Sequence, residues 1–591
     1  MSFQRRLDRI DAQIQRLSLR DNRYIWARLI VFFVGGLGSV ILLTFNPVAG
    51  WLTLLIAVAI FSVVIHKHRK VRRTLAQFRM WRDIKTEHQA RSGLEWKKLP
   101  PALPPLSDRD HPFAADLDLI GDRSLHHLLD ATVALESAVR LRDRLLTTPD
   151  NLETVSNRQA LVQELVPLAH LRDRLTLSAR LIVGKSRRWD SKRLSGWLAQ
   201  PPPSTRLRRT LIIAASLALC DAILFLLNQA GLLPPLWIVT FLAYFAVLGA
   251  QGRNSDDSFE LATELQSALE VLVEIVRRLE TTRFTNHPHL QALCSPFQSI
   301  KRPTAQLRRA MLLATAAGVQ KNFVLAALLN SLIPWDLFIA YQLQRYRTDL
   351  AVYLPIWLDA WFEFETASAI ANFADLNPNC TFPSICENAI FHAVKLGHPL
   401  IPARVSNDFT LERLGDVALI TGSNMSGKSS FLRTVGINLC MAYAGAPVCS
   451  ETLEVGLFRL YTSILVSDSL ADGFSYFYAE VRRLRALLTA LEMDTPLPLF
   501  FLIDEIFRGT NNQERLIGSR SYVHALVGKH GIGLISTHDL ELTALPGLIN
   551  YHFEDQVVEG QMSFDYHIRS GASPTTNALK IMRLAGLPVE D

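Results

Sequence analysis

A glycine-rich stretch in the C-terminal half has the residue types and spacing of a phosphate-binding loop. Residues 422–429 read Gly-Ser-Asn-Met-Ser-Gly-Lys-Ser, between an apolar run at 417–420 and a helix-like run at 431–435. When a strand, such a loop and a helix follow in this order, the backbone N–H groups of the loop and the N-terminus of the helix face the phosphates. The alternative interpretation of this stretch is a Gly/Ser-rich turn before a helix. We expect Lys428 to reach the β- and γ-phosphates and the Ser429 hydroxyl to ligate Mg²⁺. The residues predicted to contact the nucleotide are Gly422, Ser423, Asn424, Met425, Ser426, Gly427, Lys428, Ser429 and Ser430.

Two adjacent acids end a second apolar run. Residues 499–505 read Leu-Phe-Phe-Leu-Ile-Asp-Glu, and five apolar residues suit a strand buried on both faces of a parallel sheet. Asp504 would hold Mg²⁺ through water, and Glu505 would orient or deprotonate an attacking water molecule. A solvated turn is the alternative for such a pair. The pattern therefore predicts a metal and a general base beside the loop.

A third short apolar run also ends in polar residues. Residues 534–539 read Leu-Ile-Ser-Thr-His-Asp, which is typical of a buried strand followed by an exposed turn. His538 would sense the γ-phosphate, although a lone histidine is more often structural. The catalytic residues predicted from these three segments are Lys428, Glu505 and His538, with ATP and Mg²⁺ as cofactors.

These segments resemble the MutS family of ATPases. Residues 421–429 look like that family's phosphate loop, including its Asn-Met pair, and 504–510 are similar to its Walker B segment and following loop. Residues 467–480 resemble its signature segment, which completes the ATP site of a partner subunit. The resemblance implies a homodimer in which Ser475 is supplied in trans to the opposite γ-phosphate. The positions that depart from the common pattern are Phe474, Tyr476 and Tyr478.

The resemblance extends upstream of the loop. Four segments look like parts of the family's helical core and of its entry into the ATPase domain: 111–129, 158–162, 171–175 and 361–383. No Phe-x-Glu wedge precedes residue 111, so we expect a variant lacking the family's N-terminal mismatch-recognition domain. The alternating Phe-Glu-Phe-Glu stretch at 362–365 lies on a helix-like segment entering the ATPase domain and is interpreted as scaffold.

Composition favours a membrane surface over nucleic acid as the source of the basic excess. The chain has 591 residues, is 49% hydrophobic and carries a net charge of +7. Residues 1–28 and 66–98 carry +4 and +8, and 29–65 carry no charge, which leaves −5 for 99–591. The basic residues therefore flank an apolar segment. Six cysteines lack paired spacing, which predicts reduced thiols and no structural metal.

Apolar segments predict two membrane hairpins. Residues 29–65 fit two helices joined near Asn46-Pro47, since roughly 20 helical residues cross a bilayer core, and the basic flanks place both ends in the cytoplasm. A second pair is predicted at 210–228 and 232–250, although Asp221 at that depth is costly. Alternatives are a buried soluble hairpin for the first pair and a hairpin outside the membrane for the second. Residues 310–333, which include Lys321 and Asn322, are predicted to form a buried core helix.

The predicted fold class is α plus α/β and multidomain. It combines transmembrane helical hairpins, a helical MutS-like core and lever region, and a C-terminal ABC-type P-loop NTPase with a mainly parallel sheet. The predicted boundaries are 1–98 for the basic N-terminal helix and first hairpin, 99–205 for the first part of the core, 206–252 for the second hairpin, 253–390 for the rest of the core and lever, and 391–591 for the ATPase domain.

The sequence is compatible with two functions. The first is a dimeric ATPase tethered to the inner membrane, multi-pass and with its ATPase domain in the cytoplasm, that couples ATP hydrolysis to binding of mismatched or structured DNA. In that hypothesis the second hairpin replaces the tip of the family's DNA clamp. The alternative is a membrane-bound ABC-like switch or transporter-like motor with no DNA role. The signature of an ABC transporter, Leu-Ser-Gly-Gly-Gln, is not found between the loop and the acids.

Overall fold

The structure is a computed structural model that carries side chains. It describes residues 3–104, 111–185, 187–199, 205–250, 256–298, 302–321, 323–423, 425–464, 476–507, 510–558 and 561–573. Within these ranges a helical part precedes a C-terminal α/β part. This division agrees with the predicted combination of a helical region and an α/β domain.

Two long helices form the N-terminal hairpin, α1 (Phe3–Phe45) and α2 (Pro47–Ser92). Asn46 caps α2, because its side chain accepts hydrogen bonds from the backbone N–H groups of Val48 and Ala49. Proline at the first helical position has no N–H group that needs an intrahelical partner. The helices pack closely, since a Cβ added at Gly35 would lie 2.7 Å from the Cβ of Ala57. The break predicted at Asn46-Pro47 is therefore confirmed.

The helical part consists of two sets of helices around a second apolar pair. Before the pair come α3 (Leu125–Leu129), α4 (Leu135–Leu146), α5 (Leu152–Leu165), α6 (Ala169–Val183) and α7 (Lys192–Ala199). The pair is α8 (Thr205–Gln229) and α9 (Trp237–Gly249). After it come α10 (Asp256–Thr281), α11 (Pro288–Cys294), α12 (Pro303–Ala317), α13 (Phe323–Leu332) and α14 (Trp335–Leu376).

Apolar residues at helical spacing within 255–284 (Leu261, Leu265, Leu269, Leu272 and Ile275) predict a helix with one apolar face, buried within the monomer or, alternatively, serving as a dimer or lever helix. The described part of this face, on α10, lies in the core. Leu265, Leu269, Leu272 and Ile275, spaced three or four residues apart, are all buried. They belong to one large cluster that joins the helical part to the α/β part. The prediction that this face is buried within the monomer is confirmed.

The prediction that 310–333 form one buried helix is wrong. Helix α12 ends at Ala317, a 3-10 turn follows, and α13 is a separate helix. Val324 and Leu332 on α13 are 75% and 65% exposed. Apolar content alone does not separate a buried helix from one with an open apolar face, and here α13 packs beside α9, where the Tyr244 hydroxyl donates to the carbonyl of Asn330 at 2.7 Å.

Several helices are long and apolar enough to cross a membrane. Among the described residues, α1, α2 and α8 meet that description by length and composition. Helix α13 and the start of α14 form a pair bent by 88° that would make a fourth span, and α9 is a shorter apolar helix. The Thr240 hydroxyl on α9 donates a hydrogen bond to the Asp221 carboxylate on α8, which gives that carboxylate a partner.

Within the described residues, the α/β part contains two sheets. A four-stranded sheet has the order β1-β5-β2-β3, and a six-stranded sheet has the order β10-β9-β4-β8-β7-β6. The strands are β1 (Ser384–Cys386), β2 (Phe391–Leu396), β3 (Asn407–Leu411), β4 (Val417–Thr421), β5 (Thr452–Gly456), β6 (Arg459–Ser463), β7 (Leu499–Asp504), β8 (Gly531–Thr537), β9 (Leu548–Val558) and β10 (Gln561–Ser570). The helices are α15 (Lys428–Tyr443), α16 (Tyr476–Glu492) and α17 (Asn512–Leu526). In the larger sheet only the β9–β10 pair is antiparallel among the described strand pairs, so the sheet is mainly parallel.

A short segment before α3 attaches the helical part to the α/β part. The buried Asp116 carboxylate accepts hydrogen bonds from the Thr462 hydroxyl at 2.7 Å, from the Ile464 N–H at 2.9 Å and from the Arg483 guanidinium at 2.9 Å. Two residues further on, Asp118 accepts from Arg433 of α15 at 3.0 Å. The partners of Asp116 lie at the end of β6 and on α16, and the partner of Asp118 lies on α15, the helix that follows the glycine loop.

Candidate nucleotide-binding site

Three neighbouring strands position the candidate site. Strand β8 lies between β4 and β7, and all residues of the three strands are buried. The register pairs Thr421 with Thr537 and Asp504 with Ser536. Because the carboxyl ends of parallel strands meet at one edge of a sheet, the three predicted segments converge there.

The loop between β4 and α15 needs its two glycines. Gly422 and Gly427 have φ angles of +145° and +107°, in the region that favours glycine. A Cβ at Gly422 would lie 2.9 Å from the Ser426 hydroxyl oxygen. Met425 also has a positive φ, and its side chain is exposed. Asn424 lies outside the described residues, so its predicted contact stays a prediction.

Lys428, the first residue of α15, is folded into this loop. Its ammonium donates hydrogen bonds to the carbonyls of Gly422 at 2.8 Å and Ser423 at 2.7 Å. Lys428 is only 5% exposed. A buried cation at the N-terminus of a helix is suited to an anionic ligand.

Ser429 and Asp504 are in direct contact. The Ser429 hydroxyl donates to Oδ2 of Asp504 at 2.7 Å, and the Ser536 hydroxyl donates to Oδ1 of the same carboxylate. A hydroxyl and a carboxylate are hard oxygen donors, and Mg²⁺ is usually held by one or two carboxylates together with substrate phosphates. The pair therefore fits a magnesium site that is completed by phosphate.

Glu505 and His538 form a second contact across the same edge. Nε2 of His538 pairs with the Glu505 carboxylate, and Nδ1 lies 3.1 Å from the Gly422 carbonyl oxygen and 3.4 Å from Nζ of Lys428. Glu505 has a φ of +59°, an uncommon value for a residue with a side chain. The structure thus brings Lys428, Glu505 and His538 together, as the sequence predicted.

A cavity of about 350 Å³ adjoins the loop and was not anticipated from the sequence. Its wall includes Ile401, Arg404, Asn407, Phe553 and Tyr566. These residues come from three separate segments, and only the fold brings them together. The aromatic and aliphatic side chains make it suitable for a flat, mostly apolar group such as a nucleobase.

His398 lies in the wall of the same cavity. Burial is the main reason why the pKa of its imidazole is lowered to about 4, and the charges of Arg433 and Arg404 lower it further. Its Nδ1 accepts a hydrogen bond from the Leu400 N–H at 3.2 Å. His398 is therefore neutral at neutral pH and contributes shape rather than charge to the cavity.

Most of the segment that carries Ser475 lies outside the described residues, which resume at 476. Helix α16 begins there, and the Glu480 carboxylate accepts a hydrogen bond from the Phe507 N–H at 2.6 Å. This contact links α16 to the loop that follows the paired acids. The role predicted for Ser475 stays a prediction.

Comparison with known proteins finds a family match for the C-terminal part of the chain. Residues 418–590 match MutS domain V. This C-terminal part is a MutS-family domain. The match begins within β4 and includes the loop, both acids and His538. The family resemblance inferred from the ATPase motifs is confirmed by this match, whereas the resemblance of the segments between 111 and 383 stays a prediction.

Two curated relatives show how far the likeness extends. The chain is 34% identical over 203 residues to "DNA mismatch repair protein MutS 2" of Halobacterium salinarum, covering 32% of this chain and 23% of the relative. It is 32% identical over 222 residues to "DNA mismatch repair protein MutS" of Staphylococcus aureus, covering 36% of this chain and 25% of the relative. The chain thus spans about a quarter of the length of the curated relatives it matches.

Proposed function

We propose that the MutS-family domain of this chain binds ATP with Mg²⁺ and hydrolyses it. The observation that carries the proposal is the 2.7 Å hydrogen bond from Ser429 to Asp504, which joins the glycine loop to the acidic end of β7. Lys428 lies on one side of this contact and the Glu505–His538 pair on the other. The match to MutS domain V supports the same activity.

Each residue has a distinct role in this proposal. Lys428 and the loop N–H groups bind the β- and γ-phosphates, and Ser429 with Asp504 would hold Mg²⁺. When bound, Mg²⁺ supplies positive charge that offsets the charge developing on the transferred phosphoryl group. Glu505 orients the attacking water and accepts its proton, while His538 contacts the γ-phosphate. The cavity beside the loop receives the base.

The proposed activity is tested by ATP turnover of the full chain in detergent. We expect Lys428→Ala to lose nearly all hydrolysis and most ATP affinity, because the buried cation contacts the phosphates. Lys395→Ala is the matched control, since Lys395 is an exposed residue of β2 that pairs with Glu451. Equal turnover of Lys428→Ala and the control would refute the proposal.

We further propose that the active form is a homodimer in which Ser475 completes the partner's site. The support is the signature-like segment that precedes α16. Neither Lys428→Ala nor Ser475→Ala alone is then active, but a mixed dimer contains one site with both residues intact. Mixing the two variants is expected to restore part of the activity, and no recovery in a mixture shown to exchange subunits would exclude the shared site.

We propose that the helical hairpins hold this ATPase at the inner membrane, with the ATP site in the cytoplasm. The support is the open apolar surface of α1 and α2, which is flanked by the basic residues of 1–28 and 66–98. The α8–α9 pair has a similar open surface. The apolar face of α13, continuous with that pair through the Tyr244–Asn330 contact, would enter the bilayer as part of the same unit.

We propose DNA as the ligand whose binding is coupled to ATP hydrolysis. The second hairpin would replace the tip of the DNA clamp found in the MutS family. The support is the likeness to two proteins named for DNA mismatch repair. One observation favours the other candidate, a membrane switch without DNA: residues 99–591 carry a net charge of −5, and the basic excess flanks the apolar N-terminal helices.

Mobility-shift assays of the solubilised protein with homoduplex and mismatched DNA separate these two candidates. Binding that weakens steeply with salt is expected for a protein that contacts phosphates. Absence of binding at every salt concentration, in a preparation that hydrolyses ATP, would favour the membrane switch.

A further inference from the structure

Two cysteines far apart in the sequence are in contact behind the candidate site. The Sγ atoms of Cys380 and Cys449 are 3.1 Å apart, although 69 residues separate them. Cys380 follows the C-terminal end of α14, and Cys449 follows that of α15. The contact therefore joins the exit of the long helix of the helical part to the exit of the helix that begins at the glycine loop.

The backbone holds these two positions opposite each other. Thr381 and Val448 form an antiparallel bridge in which each N–H donates to the other's carbonyl, at 3.0 and 2.8 Å. The next opposed pair is Cys380 and Cys449, and in an antiparallel ladder it is a pair without mutual hydrogen bonds, with Cα atoms about 4.5 Å apart. That separation lies within the range of about 4.4 to 6.8 Å found for disulfides.

Other hydrogen bonds agree with this register. The Cys449 N–H donates to the Asn438 side chain at 2.9 Å, and its carbonyl accepts from the Gly397 N–H at 2.7 Å. The Cys380 N–H donates to the Asn377 carbonyl at 3.0 Å. Because these backbone groups form hydrogen bonds elsewhere, the two cysteines face each other through their side chains.

The two thiols have different environments. Cys449 is buried, whereas Cys380 is half-buried. The hydrogen bond from the Cys449 thiol lowers the pKa of Cys380 despite partial burial, and Arg404 lowers it further. The same hydrogen bond and burial raise the pKa of Cys449. Cys380 is thus the more reactive thiolate, and Cys449 is placed to react second.

We propose that Cys380 and Cys449 form a reversible disulfide when the protein meets a peroxide. The Cys380 thiolate attacks one peroxide oxygen, the O–O bond breaks, and the departing hydroxide takes a proton to become water. The resulting sulfenic acid is attacked by the sulfur of Cys449, which loses its proton as the S–S bond forms and a second water leaves. The two thiols are oxidised by two electrons, and hydrogen peroxide is reduced by two.

This bond would covalently tie the ends of α14 and α15. It would also change the surroundings of Arg404, whose guanidinium lies 3.3 Å from Sγ of Cys449 and which lines the cavity beside the loop. This second consequence rests on the proposed function: if the cavity holds the base of ATP, the oxidised protein will bind ATP with altered affinity.

The test is peptide mapping of the full chain in detergent after treatment with hydrogen peroxide, without reducing agent. We expect one peptide pair linked through Cys380 and Cys449, two hydrogens lighter than its parts, which dithiothreitol separates. Free thiols should fall from six to four. Cys380→Ser and Cys449→Ser should each abolish the link, whereas Cys386→Ser, six residues away, should leave it unchanged.

Sulfonic acid at Cys380 with no linked peptide, or a link from Cys380 to another cysteine, would overturn the proposal. ATP binding measured before and after oxidation separates this proposal from the proposed function. A disulfide in a protein that binds no ATP in either state would refute only the nucleotide site. ATP binding without any disulfide would refute only the thiol pair.

Discussion

The hydroxyl of Ser429 donates a hydrogen bond to the carboxylate of Asp504 at 2.7 Å, across 75 residues of sequence. Ser429 is the second residue of α15, and Asp504 is the last residue of β7. Strand β4, which leads into the glycine loop before Ser429, is not a neighbour of β7, because β8 lies between them. A third residue, Ser536 of β8, bonds the other oxygen of Asp504, so the carboxylate is fixed from both sides.

Ser429→Ala should therefore impair the response to magnesium more than the binding of nucleotide. The variant removes one oxygen ligand and leaves the loop and Lys428 intact. We expect the Mg²⁺ concentration for half-maximal ATP hydrolysis to rise by about tenfold, the loss expected for one interaction of about 1.4 kcal/mol. Ser521→Ala on the exposed face of α17 is the control, and an unchanged magnesium response would contradict the role of Ser429.

Asp116→Asn should loosen the attachment between the helical part and the α/β part. The buried carboxylate accepts three hydrogen bonds, one of them from the cationic Arg483. Breaking a buried pair by removing one charge costs about 3 kcal/mol or more. We expect faster limited proteolysis and a lower melting temperature, with Asp122→Asn on the exposed surface as control. Equal protease resistance of the two variants would show that this contact does not hold the parts together.

His398 should make stability depend on pH below neutrality. Burial lowers its pKa from 6.5 to about 4 in the folded chain, so between these values the unfolded chain binds more protons. Its contribution to stability is complete above pH 6.5 and is lost as the pH falls toward 4. The loss of unfolding free energy already reaches about 2 kcal/mol at pH 5. His398→Asn keeps an acceptor for the Leu400 N–H and should show a smaller drop in melting temperature from pH 7 to pH 5. His524→Asn, an exposed control, should behave like the parent, and so would His398→Asn if the imidazole were solvated.

The turn between α8 and α9 should face away from the cytoplasm. This follows from the proposal that both helices enter the bilayer, with Arg206, Arg208 and Arg209 on the cytoplasmic side. A protease site inserted after Gly231 should be cleaved only from the outer side of the inner membrane. The same site inserted after Asp150 should be cleaved only from the cytoplasmic side. Cytoplasmic cleavage after Gly231 would contradict insertion of this pair.

The sequence predicted those features that depend on residues close together in the chain. Apolar runs predicted the three strands of the site, β4, β7 and β8, and polar residues at their ends predicted which side chains would meet. The spacing of Leu265, Leu269 and Leu272 predicted the buried face of α10. In each case the pattern lies within one helix or strand. A strand buried on both faces is apolar throughout, and a helix buried on one face has apolar residues every three or four positions.

Other features depend on contacts between distant segments, which no local pattern encodes. The open face of α13 has the same composition as a core helix, and only the exposure of Val324 and Leu332 in the fold distinguishes the two. The cavity wall brings Arg404 together with Tyr566 across more than a hundred residues. Asp116 lies in an ordinary turn sequence, and its importance comes from partners on β6 and α16.

The glycine loop and the paired acids are proposed to form one ATP-hydrolysing site. The most direct test is single-turnover hydrolysis by Glu505→Gln, in which the carboxylate that pairs with His538 becomes an amide of the same shape. We expect this variant to bind ATP like the parent and to hydrolyse it at least about 100-fold more slowly, because it lacks the base for the attacking water. Glu492→Gln at the exposed end of α16 should hydrolyse ATP at the parental rate. Hydrolysis by Glu505→Gln at the parental rate would contradict the proposal that Glu505 is the base of this ATP-hydrolysing site.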